Sequence, residues 1–297
     1  MEDKFLILDS NSILYRAFFA LPKLTTKKGE IINGVYGFFL LFFKLIKELK
    51  PNFIAACFDF PAPTFRHLEF REYKAKRPPP PKELSSQIPL LKETLKSFPV
   101  AIFEKEKFEA DDLIGTLVTL APKEIEKIIV TGDLDTLQLV SRKVKVYFLQ
   151  KGVKRTVIFD KKKVKEKYEG LLPSQIPDYK ALVGDISDNI VGIAGIGPKT
   201  ATRLLLKYKN IKGILKNVKN LDPSLREKIL KNKEKILLNL KLATIKNNVK
   251  LVFDVEKVRF KIYNEKKIRE NFEKLGFKSL IKRIGELKTE SSNLKLF

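Results

Sequence analysis

The chain is poor in the residues that build many functional sites. Among its 297 residues there is one cysteine, Cys57, one histidine, His67, and no tryptophan. A single cysteine excludes an intrachain disulfide framework and a cysteine-based zinc site. A single histidine leaves no His cluster for zinc and weakens any Ser-His-Asp reading. Long hydrophobic runs are missing as well. The longest, Gly37 to Phe43, is broken by Lys44, whereas a membrane span needs roughly 20 apolar residues. The Met-Glu-Asp-Lys start lacks the positive charge ahead of an apolar stretch that marks a signal peptide, so a cytoplasmic protein is expected. Acids are scarce too: 35 Asp and Glu stand against 59 Lys and Arg, a net charge of +24. Solubility asks for a magnitude of only about 2–8. An excess of that size calls for a polyanionic partner. Lysine is spread along the whole chain rather than along one amphipathic helix, which favours nucleic acid over a membrane surface. Hydrophobic residues at 44% exclude a disordered basic tail and supply one large or two small domains with a core.

What is present is a set of apolar runs, each followed by acid. Residues 5–8 read as a strand buried on both faces and end at Asp9; residues 52–58 end at Asp59; residues 127–131 end in Gly132, Asp133 and Asp135. Helical patterns lie between them, one largely buried over 33–49 and one over 111–120 that carries Leu113, Ile114, Leu117 and Val118 at helical spacing. Strands alternating with helices predict an α/β fold with a mostly parallel sheet. Ligands of such sheets bind beyond the carboxyl ends of the strands. A lone aspartate at a strand end usually caps a helix or makes a turn; three strands ending this way point to a site.

Two further acidic groups join them. Glu109, Asp111 and Asp112 open a helix, where one cap would need fewer acids. Asp185 and Asp188 stand three apart and are expected to share a face of a helical turn. Together these make nine carboxylates that could not stay ionised at close range without cations. Hard oxygen donors without His or Cys select Mg²⁺ or Mn²⁺ over zinc, and nine acids suit two or more ions. Two ions about 3.5–4 Å apart activate water and stabilise a leaving oxygen in phosphodiester hydrolysis. An acidic metal site in a basic protein suggests a nuclease.

The stretch 191–206, VGIAGIGPKTATRLLL, puts Gly192, Gly195 and Gly197 in a tight loop and Pro198 at the start of a helix. With Ile193 and Ile196 turned inward, this is a helix-hairpin-helix pattern, which holds duplex phosphates on backbone N–H groups. It is not a Walker A loop, because Pro198 separates Gly197 from Lys199. The Asp133–Leu137 segment resembles a phosphatase nucleophile motif, but with one residue missing before Thr136. After the second strand, residues 64–84 interleave Arg66, Arg71, Lys74, Lys76 and Arg77 with Phe65, Phe70 and Tyr73, then run into Pro78–Pro81. Cations beside aromatics suit single-stranded nucleic acid, and the insertion is expected to lie over the acidic rim as a mobile gate.

These stretches taken together resemble the 5′-nuclease domain of bacterial DNA polymerase I, within the flap endonuclease superfamily. The resemblance runs from about residue 4 to about residue 285. It is carried by LYRAFFALP (14–22), VYGF (35–38), FRH, EYKAKRPPPP, FEADD, TGDLDTLQLV and GDISDNIVGIAGIGPKTA. It implies a central twisted, mostly parallel sheet flanked by helices (PIN-like), a helical arch and a helix-three-turn-helix clamp. The corresponding division is a nuclease core over 1–175, with the arch at about 61–98, and a mainly helical DNA-binding region over 176–297.

The resemblance further implies one metal position at Asp9, Asp59, Glu109 and Asp111, and a second at Asp133, Asp135, Asp185 and Asp188, with Asp112 near both. Lys74 and Arg77 would steer the scissile phosphate, with Tyr15, Arg16 and Tyr36 near the metals and the displaced nucleotide. DNA contacts would come from Arg66, Arg71, Tyr73, Lys74, Lys76, Arg77, Gly192, Gly195, Gly197, Lys199 and Thr200. A K⁺ ion at the glycine-loop carbonyls is implied as well. One departure is Leu134 with Thr136: the family commonly has Lys and Leu there, so a positive charge near the second site is lost. The activity implied is that of a Mg²⁺-dependent 5′-3′ exonuclease and flap endonuclease acting on DNA and RNA primers in replication and repair. It would be a monomer at the nucleoid, either free-standing or joined to a DNA polymerase. The alternatives are a DNA-binding module without catalysis and, on the imperfect Asp133–Thr136 motif, a small-molecule phosphatase.

Overall fold

The computed structural model describes residues 2–153, 155–260 and 263–287. The end of the expected second region, 288–297, lies outside the described residues. The chain runs β1 (Lys4–Asp9), α1 (Ser10–Ala20), α2 (Asn33–Leu49), β2 (Phe53–Cys57), α3 (Phe65–Glu69), α4 (Lys82–Ser85), α5 (Gln87–Leu95), β3 (Ala101–Phe103), α6 (Ala110–Leu120), β4 (Glu126–Thr131), β5 (Val144–Lys151), β6 (Arg155–Phe159) and α7 (Lys161–Lys167). It continues through α8 (Ile176–Val183), β7 (Gly184–Asp185), β8 (Ile190–Val191), α9 (Pro198–Tyr208), α10 (Ile211–Lys216), α11 (Pro223–Lys231), α12 (Lys233–Ala243), α13 (Glu265–Lys274) and α14 (Lys278–Ile281).

Six strands form one sheet in the order β3-β2-β1-β4-β5-β6, parallel except for β6 against β5. The chain leaves β1 toward β2 and β3 on one side and then crosses to β4 and β5 on the other. The switch point therefore falls between β1 and β4, where α/β sheets open a crevice at their carboxyl ends. Asp9 closes β1 in register with Cys57 of β2, while Leu8 pairs with Val130 of β4. The acids that follow these three strands thus leave the sheet side by side.

The strands read as unbroken apolar runs because both faces are covered. Alternation sends Leu6, Leu8, Ile54, Ala56 and Val130 to one face, against α1, α2 and α5. Phe5, Ile7, Phe53, Ala55 and Ile129 go to the other, against Leu113, Ile114 and Leu117 of α6. Phenylalanine supplies the bulk that tryptophan would otherwise give: Phe39 lies 5.3 Å from Phe98 and 5.2 Å from Phe272 between ring centroids.

A third apolar cluster joins α8, α9, α11 and α12 through Leu182, Ile193, Ile196, Leu205, Ile229 and Ile236. The chain after Thr244 leaves this cluster. Val249 and Val258 enter one face of the sheet, and Phe260, Ile268, Phe272 and Phe277 the other. Among the described residues of the expected second region, Val249, Val258, Phe260, Ile268, Phe272 and Phe277 thus complete the core of the first rather than that of the helical cluster. The reason is apolar area: α2 presents Phe38, Phe39, Phe42 and Phe43, all buried, and the returning segment covers them.

The glycine loop takes the expected form. Gly195 has φ +78, the left-handed region that favours glycine. A Cβ on Gly192 would stand 2.1 Å from the Val183 carbonyl oxygen, so only glycine lets β8 turn so close to the end of α8. Ile193 and Ile196 are buried, and Pro198 opens α9.

Candidate active site

Each acid is held by the local structure that its position in the chain dictates. Asp9 caps α1, taking the Ser12 N–H at 3.1 Å on one oxygen, and the Thr131 hydroxyl donates to the other at 2.6 Å. Asp59 accepts from the Ala110 N–H at 2.8 Å, which ties the end of β2 to the start of α6. Glu109 and Asp112 form a reciprocal cap on α6. Asp133 accepts from the N–H of Asp135 at 2.9 Å. Asp185 and Asp188 do not share a helical turn. Asp185 ends β7 and Asp188 lies on the tight connection to β8, and Asp185 accepts from the N–H and hydroxyl of Ser187 at 2.8 and 2.7 Å.

Asp9, Asp59, Glu109, Asp111 and Asp133 line one cavity of about 1640 Å³. Asp135 and Asp185 line an adjoining cleft. Asp135, Asp185 and Asp188 bring one ligand atom each within 4.8 Å of one another, the one such group among the described residues. This donor set is all carboxylate oxygen, which fits a hard divalent cation.

Crowding perturbs these groups. Burial, with Asp59 and Asp133 nearby, raises Asp9 to about 7 against its Thr131 and Ser12 hydrogen bonds. Burial and Asp133 raise Asp135 to about 7 although Lys180 opposes them. Burial raises Asp59. Burial and the charges of Asp133 and Asp9 push Asp111 well up. Glu109 and Asp185 run the other way. Burial acts against both, but Lys74 and Arg66 hold Glu109 below the usual range, and Lys180 does the same for Asp185.

The segment after β2 crosses this cavity. Pro78 to Pro81 line it together with Tyr15. The segment is fastened at its foot to both acidic groups. Lys74 Nζ lies 2.8 Å from Glu109, and Arg77 donates to Asp188 at 2.7 Å and to the Ser187 carbonyl at 2.8 Å. Asn189 donates to the Glu72 carbonyl at 2.8 Å. Beyond the prolines, Gln87 is buried and accepts from the Val35 N–H at 3.1 Å, docking α5 on α2.

Residues 4–169 match the model of the 5′-3′ exonuclease N-terminal resolvase-like domain, and residues 171–266 that of the 5′-3′ exonuclease C-terminal SAM fold. The chain belongs to the 5′-3′ exonuclease family. It is 38% identical over 292 residues to a 5′-3′ exonuclease of Aquifex aeolicus, covering 98% of both chains. It is 43% identical over 285 residues to DNA polymerase I of Caldicellulosiruptor bescii, covering 95% of this chain and 33% of that one. The chain thus spans about a third of the length of the DNA polymerase I relatives it matches. The fold is shared with the bacteriophage T5 flap endonuclease solved in a pseudo-enzyme-product complex with DNA and metal ions. That likeness has a TM-score of 0.66 and 19% identity over 96% of this chain and 97% of that one.

Within this family frame, several residues stand elsewhere than their sequence pattern suggests. Arg66 is 2% exposed. Its guanidinium makes two bonds of 2.8 Å to Asp112 and others to Glu109, the Leu242 carbonyl and the Thr244 carbonyl. It therefore lies beneath the rim, with no donor left for DNA. Asp112 is wholly buried and is also bonded by the N–H groups of Glu109 and Lys246. Its oxygens are already taken by Arg66 and by backbone N–H groups, which sets it apart from the carboxylates that line the cavity. Tyr73 is 2% exposed, and its hydroxyl bridges Glu109 and Asp188 at 3.2 and 2.9 Å; it cannot stack on a base. Tyr36 packs on Phe277 and shares a hydrogen bond of 2.9 Å with Ser279, outside the cavity lining. Arg16 donates to the Gly132 and Gln150 carbonyls at 2.6 and 2.9 Å, bracing the ends of β4 and β5. Tyr15 is half exposed in the cavity wall. Arg71, Lys76, Arg77 and Lys199 are exposed; Thr200, at the start of α9, is half-buried.

A positive charge beside Asp135 does come from another element. Lys180 in the last turn of α8 bridges Asp135 and Asp185. No motif marks this lysine, which sits in an ordinary helix among many others in the chain.

Proposed function

We propose that the protein is a divalent-metal-dependent nuclease that removes 5′ ends and 5′ flaps from duplex DNA. The observation that carries this reading is the all-carboxylate cluster Asp135, Asp185 and Asp188 beside the cavity of Asp9, Asp59, Glu109 and Asp111, in a chain of the 5′-3′ exonuclease family. Asp135, Asp185 and Asp188 would hold one ion, and Asp9, Asp59, Glu109 and Asp111 another, with Asp133 serving both. Mg²⁺ is the proposed ion and Mn²⁺ its substitute. Bound there, the ions supply an activated water and stabilise the charge on the leaving oxygen.

The protein's own groups do the rest. Lys74 and Arg77, held at the rim, neutralise the phosphodiester as its charge develops. The proline strap and Tyr15 border the space for the single-stranded 5′ end. The glycine loop and Lys199 hold duplex phosphates without reading bases. Arg71 and Lys76 extend the same grip. RNA primers as substrates, a K⁺ ion at the loop carbonyls, a monomeric state, a DNA polymerase as partner and action at the nucleoid belong to the same proposal. Among the described residues no helix is long and apolar enough to cross a membrane.

The test is a labelled double-flap substrate incubated with the protein and Mg²⁺, with EDTA as the control. Cleavage at the flap base with Mg²⁺ alone is the expected result. Binding without any product would instead favour the DNA-binding module.

The raised carboxyls give this reading a signature in stability. A group that binds its proton more firmly when folded contributes stability below its unfolded pKa, near 4, and loses it as pH rises through the folded value. For Asp9 and Asp135 that window runs from about 4 to about 7. Asp59 and Asp111 shift in the same direction. In EDTA, the urea midpoint is expected to fall between pH 5 and pH 8. At pH 8, Mg²⁺ at a hundred times its Kd should restore about 2.7 kcal/mol. A midpoint indifferent to both pH and Mg²⁺ would contradict the metal assignment.

A further inference from the structure

Three carboxylates that bring one oxygen each within 4.8 Å of one another repel strongly when ionised, and cations of the protein itself stand among them. Asp188 meets Arg77 from the proline-strap side. Asp135 and Asp185 share a single cation. Lys180 Nζ lies 2.5 Å from Asp185 and also contacts Asp135. Its side chain is 11% exposed, so little water screens the contact. Lys180 and Asp135 are 45 residues apart and come from α8 and the segment after β4. The fold itself aims the ammonium at the cluster, unlike a surface pair within one helix. A divalent ion on Asp135 and Asp185 needs the oxygens that accept from Lys180, and it would sit beside a positive charge with little solvent between them.

We infer that Lys180 is a tethered cation that a divalent ion must displace from Asp135 and Asp185, and that it thereby sets the affinity of this cluster for metal. The inference rests on the reading of the acidic rim as a metal site. Lys74 on Glu109 and Arg77 on Asp188 neutralise one carboxylate each. Lys180 alone spans two of the three acids in the cluster. Before metal binds, it prevents the repulsion that would open the turn between β7 and β8. Once displaced, its ammonium moves into the adjoining cleft, which it already lines.

Calorimetric titration of the metal-free protein with Mn²⁺ tests this. The parent is compared with Lys180→Met, which keeps the stem and removes the charge, and with Lys180→Arg, which keeps the charge. Lys180→Met should bind one Mn²⁺, that at Asp135 and Asp185, about tenfold more tightly, and Lys180→Arg should stay close to the parent. Equal or weaker binding by Lys180→Met overturns the inference and leaves the metal reading standing. Absence of Mn²⁺ uptake by all three proteins overturns both. A second measurement uses the unaltered protein and so does not depend on a variant folding. Acetylation of Lys180 by an amine-reactive reagent, read by peptide mass spectrometry, should quicken several-fold when Mn²⁺ is added. Labelling that is unchanged or slower while Mn²⁺ binds overturns the inference.

Discussion

Changing Asp135 to asparagine is expected to lower flap cleavage by about a hundredfold to a thousandfold, the scale on which removal of one charge-stabilising group acts in a preorganised site. Asp59→Asn should act similarly from the other acidic group. Both changes keep the shape of the side chain. In Asp59→Asn the amide oxygen can still accept from the Ala110 N–H, as the Asp59 carboxylate does at 2.8 Å. Neither change should unfold the protein. Burial and the neighbouring acid Asp133 already favour the neutral form of Asp135, so a neutral amide relieves repulsion in the metal-free state. The melting temperature of Asp135→Asn in EDTA at pH 8 should therefore equal or exceed that of the parent. Duplex affinity should persist, because the glycine loop and Lys199 stand on a separate apolar cluster. Single-turnover cleavage and gel-shift binding, measured on the same preparation, check the pair of expectations. Cleavage within tenfold of the parent in the double variant would remove the assignment of these carboxylates to the chemistry.

Arg66→Ala should show the opposite pattern, a loss of stability of about 3–5 kcal/mol, as when one partner of a buried ion pair is removed. Asp112 is fully buried and would be left charged with only backbone N–H partners. The Leu242 and Thr244 carbonyls, at 2.8 and 3.1 Å from the guanidinium, would lose their donors too. Arg66→Lys should recover only part of the loss, since an ammonium cannot reproduce the planar fork on Asp112. The measurement is the urea midpoint at unchanged slope. Duplex affinity of the folded variant should remain near that of the parent. A variant as stable as the parent but weakened in DNA binding would return Arg66 to the DNA-facing surface.

These two residues mark how far the site could be read in advance. Asp9, Asp59 and Asp133 were legible because a strand buried on both faces has to be an apolar run, and parallel strands end on one rim. The acid after each run thus has a position in space as well as in sequence. Gly192, Gly195 and Pro198 were legible because backbone geometry restricts which residues can make that loop. Arg66 and Tyr73 were misread. A basic residue among aromatics looks the same whether it faces water or an aspartate 46 residues away. The place of Asp112 outside the cavity lining was hidden for the matching reason: proximity to Glu109 and Asp111 in sequence says nothing about which way a helix turns each carboxylate. Lys180 was not read at all, because its two partners come from segments that only folding brings beside it.

The sequence by itself determined the class of fold, the rim on which the acids gather and the tight glycine loop before α9, because each follows from local rules of periodicity, strand burial and backbone conformation. Only the tertiary structure decided which charges are spent on one another. That division of the +24 excess depends on desolvation and on distances between elements far apart in the chain. It assigns Arg66 to the interior, Lys74 and Arg77 to the foot of the strap, and Lys180 to the acidic cluster. Under the proposed function, the remaining basic surface is what meets DNA.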